Sequence, residues 1–111
     1  MAKAARIRLI NQIEVARKSH VISYITSTRT NLEAVMAMDS IRRIFDHLAA
    51  IQKPSKQKKA EKIDLFLHSN GGEGIVPWRL VTLIREYADK FCVLVPCRAF
   101  SAATLAALGA D

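Results

Sequence analysis

The sequence predicts an α/β domain: a parallel sheet of about three strands joined by crossover helices. Three observations carry this expectation. Short apolar, β-branched runs at residues 21–26, 63–68 and 91–95 alternate with stretches whose apolar side chains recur every three or four positions. Alternating strands and helices imply a parallel sheet with right-handed crossovers. The run at 91–95 is apolar at every position, the pattern of a strand buried on both faces. With 111 residues, half of them apolar, the chain is sized for one small domain with a real core.

Taken in order, residues 3–19 read as a basic amphipathic helix with Ile7, Ile10, Ile13 and either Val15 or Ala16 on one side. Residues 1–19 are set apart as an N-terminal helix from the main domain at 20–111. Such a helix can touch a membrane surface, but packing on the domain or on a second subunit is the favoured reading. Residues 21–26 form the first strand. In the polar segment that follows, Thr30 and Glu33 fit a capping box and predict a turn of helix. Residues 38–51 place Met38, Ile41, Ile44, Phe45, Leu48 and Ile51 at helical spacing, with Asp39 or Ser40 as the cap. The lysine-rich segment 52–62 contains Pro54 and predicts an exposed loop. Residues 63–68 form the second strand. Residues 76–90 form a helix with Pro77 in its first turn and Val76, Leu80, Leu83, Ile84 and Tyr87 as its inner stripe. Residues 91–95 form the third strand, and 101–108 a short helix of small residues stopped by Gly109.

Composition narrows the classes. The formal charge is +7, concentrated in Arg6, Arg8, Arg17 and Lys18 and in Lys53, Lys56, Lys58, Lys59 and Lys62. This balance suits nucleic acid or an anionic membrane. The lysine block lacks interleaved aromatic residues and any reading motif, however, so a solvated loop is expected and nucleic acid is not an expected partner. Cys92 and Cys97, separated in part by Pro96, make no disulfide framework; reduced thiols in the cytoplasm are the simplest reading. No signal peptide or bilayer-crossing run is visible, so membrane contact is peripheral at most. His20, His47 and His68 show no ligand spacing, and no metal or cofactor is expected. The segment Gly71-Gly72-Glu73-Gly74 is neither a dinucleotide fingerprint nor a P-loop.

Ligands of parallel sheets bind beyond the carboxyl ends of the strands, and two unusual turns fall there. Ser69-Asn70-Gly71-Gly72 leaves the second strand with bare backbone N–H groups, as a developing negative oxygen requires. Alone, paired glycines more often simply turn the chain. Ser101 opens a helix directly after the third strand and a tight turn. Its ordinary task there is to cap the helix. Small neighbours at Ala99, Ala102 and Ala103 leave room for a substrate, and a helix N-terminus favours negative charge. Together the turns offer a nucleophile and an oxyanion site, two components of acyl transfer.

These residues resemble the serine dehydrogenase proteinase family, within the Clp-protease/crotonase-like fold, over about residues 20–111. The apolar run ending in His68-Ser69-Asn70-Gly71-Gly72 looks like the family's strand-turn pattern. Val95-Pro96, then Ala99, Ser101, Ala102, Ala103, Thr104 and Leu105, and finally Ala107-Leu108-Gly109-Ala110-Asp111, are similar to its longer second motif. Pro77-Trp78-Arg79 and Ile84-Arg85-Glu86-Tyr87 look like a subgroup of the family. The resemblance implies Ser101 as nucleophile, and Gly71 and Gly72, with the N–H of Ala102, as oxyanion hole. It also implies peptide or protein substrates and a homo-oligomer. Relatives continue past Gly-Ala-Asp with further strands, helices and the general base. The expectation is therefore an incomplete, C-terminally truncated domain whose base comes from a completing chain or segment. His20 and His47 are expected to be surface or boundary residues, and His68 to shape the glycine turn. Trp78 and Tyr87 are expected in core or interface, and Cys97 is expected to be a passive thiol. Two other readings stay open. One is a non-catalytic module binding a peptide or subunit. The other is an acyl-CoA-handling, crotonase-like domain that uses the same amides on a thioester oxygen.

Overall fold

The computed structural model describes residues 2–56 and 58–111. In chain order the elements are α1 (Lys3–Arg17), β1 (His20–Ile25), α2 (Asp39–Gln52), a short 3-10 turn at Lys53–Ser55, β2 (Ala60–His68), α3 (Val76–Tyr87), β3 (Ala88–Leu94) and α4 (Ala102–Leu108). The strands form one parallel sheet in the order β1-β2-β3. The mixed α/β class and the three-stranded parallel sheet are as the sequence predicts. The register sets Ile22 beside Leu65 and Leu65 beside Val93, so all three strands run out at the same edge.

One face of the sheet is dry. Ile63, Leu65 and Leu67 alternate along β2, with Ile22 and Tyr24 from β1 and Phe91 from β3 on the same side. Ile44 and Leu48 of α2, Val76, Leu80 and Ile84 of α3, and Ala102, Ala103 and Ala106 of α4 complete this core. Burial of these side chains contributes roughly 1.5–3 kcal/mol each for the larger ones, which makes this face the main source of stability.

The opposite face is held differently. α1 buries no residue fully. Ile10 and Ile13 are half-buried, while Ile7 and Val15 of the expected stripe are 47% and 80% exposed. The helix is tied down by polar contacts at its C-terminal end instead. Arg17 donates to both carboxylate oxygens of the fully buried Asp64 on β2, at 2.6 and 3.2 Å, and Ser19 Oγ donates to the same group at 2.6 Å. The Val21 amide donates to Glu14 at 2.9 Å. Burial opposes a charge on Asp64, but the Arg17 and Ser19 hydrogen bonds outweigh it and hold the carboxyl below the usual carboxylate range.

Four local expectations are corrected. No helix forms at Thr30–Glu33: the chain there is irregular, because Met36 must run extended beside Gly72 as an isolated parallel bridge. Neither Asp39 nor Ser40 caps α2 through its side chain. Ser40 Oγ instead donates to the Ala37 carbonyl and accepts from the Tyr24 hydroxyl, both at 2.7 Å. The third helix ends at Tyr87 rather than at residue 90, because Ala88 and Lys90 pair with Ala60 and Lys62 and draw that segment into the sheet. For the same reason the expected loop at 52–62 is shorter: it gives up Ala60, Glu61 and Lys62 to β2. Gln57, within that loop, lies outside the described residues, as does Met1.

Candidate active site

The site is assembled around Ser69, which continues β2 and is fully buried. Its amide donates to the Arg98 carbonyl at 3.1 Å, and its carbonyl accepts from the Phe100 amide at 3.0 Å. These bonds make a one-residue bridge to Ala99 that locks the turn after β2 against the turn after β3. Its hydroxyl accepts from Thr26 Oγ1 at 2.7 Å and from the Gly71 amide at 3.0 Å. The serine of the first turn is thus a buried fastener whose hydroxyl oxygen accepts from two donors.

The two glycines meet different constraints. Gly71 has φ +104°, and a Cβ there would stand 2.7 Å from the Phe100 carbonyl oxygen, 2.8 Å from Ser101 Cβ and 2.9 Å from the Ala102 nitrogen. Only a residue without a side chain lets the turns approach this closely. A Cβ on Gly72 would lie 2.2 Å from the Met36 carbonyl oxygen and 2.5 Å from its nitrogen. Met36 donates to the Gly71 carbonyl and accepts from the Glu73 amide, each at 2.9 Å. In a parallel bridge of this kind the residue opposite Met36 directs its own N–H to the other side. The Gly72 amide therefore points away from Met36, toward the side on which β3 and Ser101 lie.

Ser101 occupies the second position of a tight turn closed by the Ala103 amide donating to the Phe100 carbonyl at 2.9 Å. Its angles, φ 52° and ψ −121°, are those of the glycine-favouring first central position of a type II′ turn. Holding a serine there costs about 1–3 kcal/mol. The cost is not offset by capping, because the hydroxyl makes no cap hydrogen bond, and the residue is exposed. α4 begins one residue later than expected, at Ala102. Thr104 Oγ1 donates to the Ala99 carbonyl at 2.6 Å and fastens the turn to the first turn of the helix.

The structure thus brings Ser101 and Ala102 against Gly71, with Gly72 next in the chain and backed by Met36. Among the described residues the amides of Gly72 and Ala102 donate to no partner, whereas the Gly71 amide is taken by Ser69 Oγ. The Gly71 N–H is therefore not available as the donor the sequence reading expects, whereas those of Gly72 and Ala102 are. No titratable side chain among the described residues bonds to Ser101. His68 is half-buried, with Nε2 3.4 Å from Thr28 Oγ1, and His20 and His47 are exposed. Trp78 is 64% exposed, while Tyr87 is half-buried with its ring edge-on to Phe45. Cys97 is exposed and Cys92 half-buried; both are free thiols. Among the described residues no group of three His, Cys, Asp or Glu is placed to hold a metal ion, and no helix is long and apolar enough to cross a membrane.

Three contributors have no assigned role in the sequence reading. Met36 supports Gly72 from a segment with no regular pattern. Arg98 donates to Asn70 Oδ1 at 3.1 Å and stands with Cζ 5.2 Å from the centroid of the Phe100 ring, joining the two turns by side chain as well as backbone. Asp111 ties the end of α4 to β3: its amide donates to the Phe91 carbonyl at 2.7 Å and its carboxylate accepts from the Phe91 amide at 2.8 Å. The Phe91 amide first, and Arg85 second, hold that carboxyl below its ordinary range. None of these has a periodic signal, since each joins residues far apart in sequence: Met36 with Gly72, Arg98 with Asn70 and Asp111 with Phe91.

Comparison with protein-family models, curated proteins and solved structures gave no match.

Proposed function

We propose that this chain carries the nucleophile and oxyanion site of a serine acyl-transfer domain, peptidase-like in its chemistry and incomplete with respect to the general base. The observation that carries the reading is Ser101. It is held at a strained positive φ, left uncapped and exposed, and packed on Gly71 where two unbonded amides lie close by. Strain retained without a structural return supports a functional role for the side chain.

In this reading Ser101 Oγ attacks an amide carbonyl and the carbonyl oxygen gains the negative charge. The Gly72 and Ala102 N–H groups donate to that oxygen. The Oγ proton passes to a base, which then protonates the departing amine as the acyl-serine forms; water releases the acid. A serine hydroxyl is a weak nucleophile without a base. The base is assigned to a partner or completing segment, in keeping with an oligomer of the Clp/crotonase-like kind acting on peptide or protein substrates. The cytoplasm remains the proposed compartment.

The unassisted Ser101 hydroxyl also supports a second reading, a non-catalytic module that holds a peptide or subunit against the same amides. The acyl-CoA reading needs the amides but not the hydroxyl. A serine-directed fluorophosphonate discriminates. Labelling that maps to Ser101 and vanishes in Ser101→Ala, with the melt unchanged, supports the nucleophile. Labelling that persists in Ser101→Ala refutes it. Absence of labelling in the wild type, alone and with candidate completing segments, favours the binding module.

A further inference from the structure

We propose that Arg98 is a positioning residue for this acyl transfer, holding the glycine turn and the serine turn at the separation their amides need. The inference rests on the reading of Ser101 as nucleophile and extends it to a residue without a role in that chemistry so far. The two oxyanion donors come from different turns, Gly72 from the one after β2 and Ala102 from the one after β3, so their spacing is set by whatever joins the turns. The backbone joins them once, at the bridge between Ser69 and Ala99. That bridge lies three residues before Gly72 and three before Ala102, so a contact made beyond it also bears on the spacing of the two amides.

Arg98 makes such a contact. Its guanidinium donates to Asn70 Oδ1 at 3.1 Å, beyond the bridge on one turn, and lies 5.2 Å from the centroid of the Phe100 ring, beyond it on the other. A planar fork held by an acceptor on one side and an aromatic ring on the other has little freedom to swing. Asn70 directly precedes Gly71, and Phe100 directly precedes Ser101, so the clasp sits next to both positive-φ residues. The half-buried Arg98 also has donors to spare beyond the one given to Asn70. A change of a few tenths of an ångström in oxyanion donors matters for rate more than for binding.

The test uses the full chain and a fluorophosphonate probe. The labelling rate is measured against probe concentration for the wild type, Arg98→Met, Asn70→Ala and the double variant. Each single change is expected to lower the limiting rate about tenfold while the half-saturating concentration stays put, and the double variant to lose no more than either alone. Removal of two independent structural contacts would instead give losses that multiply. Multiplying losses, or an unchanged limiting rate in Arg98→Met or in Asn70→Ala, overturn the role of Arg98 and leave Ser101 as nucleophile. Wild-type labelling no greater than that of Ser101→Ala, both alone and with candidate completing segments, overturns the nucleophile reading, and the role of Arg98 with it.

Discussion

The turns after β2 and β3 meet at one edge of the sheet and treat the same steric problem in opposite ways. Both force backbone into the positive-φ region, at Gly71 and at Ser101. The first turn relieves the demand by chemistry: two residues lack side chains, and the hydroxyl of Ser69 is buried and engaged by Thr26 and Gly71. The second keeps a side chain where glycine would be more comfortable, and leaves its hydroxyl exposed and uncapped. A turn that needed only to reverse the chain would have no reason to retain that strain. The first turn is built for fit, whereas the second gives up stability to hold a hydroxyl at the rim.

Substitutions can break or sharpen this contrast. The largest effect is expected at Gly72. A methyl group there meets the Met36 backbone at 2.2 Å, and Gly72→Ala should lower stability by about 3 kcal/mol in denaturant melts, through overpacking and loss of the bridge hydrogen bonds. Gly71→Ala combines a positive φ with contacts of 2.7–2.9 Å to residues 100–102, and should cost about 2–3 kcal/mol. Ser69→Ala leaves the Thr26 hydroxyl and the Gly71 amide without their buried acceptor, at a cost of about 2 kcal/mol.

The fourth change should reverse the sign. Ser101→Gly relieves the strained φ and is expected to stabilise by about 1 kcal/mol, even after the extra entropy of glycine in the unfolded chain, while abolishing fluorophosphonate labelling. A destabilised Ser101→Gly protein would show that the serine contributes to the fold, and the contrast between the turns would fail.

Acid should act away from both turns. Asp64 and Asp111 have folded-state pKa values below their unfolded ones, so the stability they contribute is complete above about pH 4 and is lost as pH falls through the folded values. Thermal melts between neutral pH and pH 2 should show this decline, with a smaller decline in Asp64→Asn.

Local pattern explains what was legible. Apolar runs and helical spacing are properties of neighbouring residues, so the strands, the three longer helices and the position of both turns at the carboxyl edge could be read directly. The Thr30–Glu33 capping signal was equally local, but pairing of Met36 with Gly72 overrode it. The expected stripe of α1 met a similar fate: the helix is fastened through Arg17 and Ser19 to a buried Asp64, a contact that spans 47 and 45 residues and has no periodic trace. The site divides along the same line. Ser101, Gly71, Gly72 and Ala102 were legible as residue types in two turns. That the Gly71 amide is occupied, that Ser101 is no cap, and that Arg98 reaches Asn70 depends on the exact approach of two segments.

The sequence by itself determined the layered α/β plan and the chemistry available at its rim, because hydrophobic period and turn composition act over a few residues. Only the tertiary structure decided which amides stay unbonded, which hydroxyl is buried and which exposed, and where strain is kept. Those outcomes follow from the packing of one segment against another, with Met36 crowding Gly72 and residues 100–102 crowding Gly71.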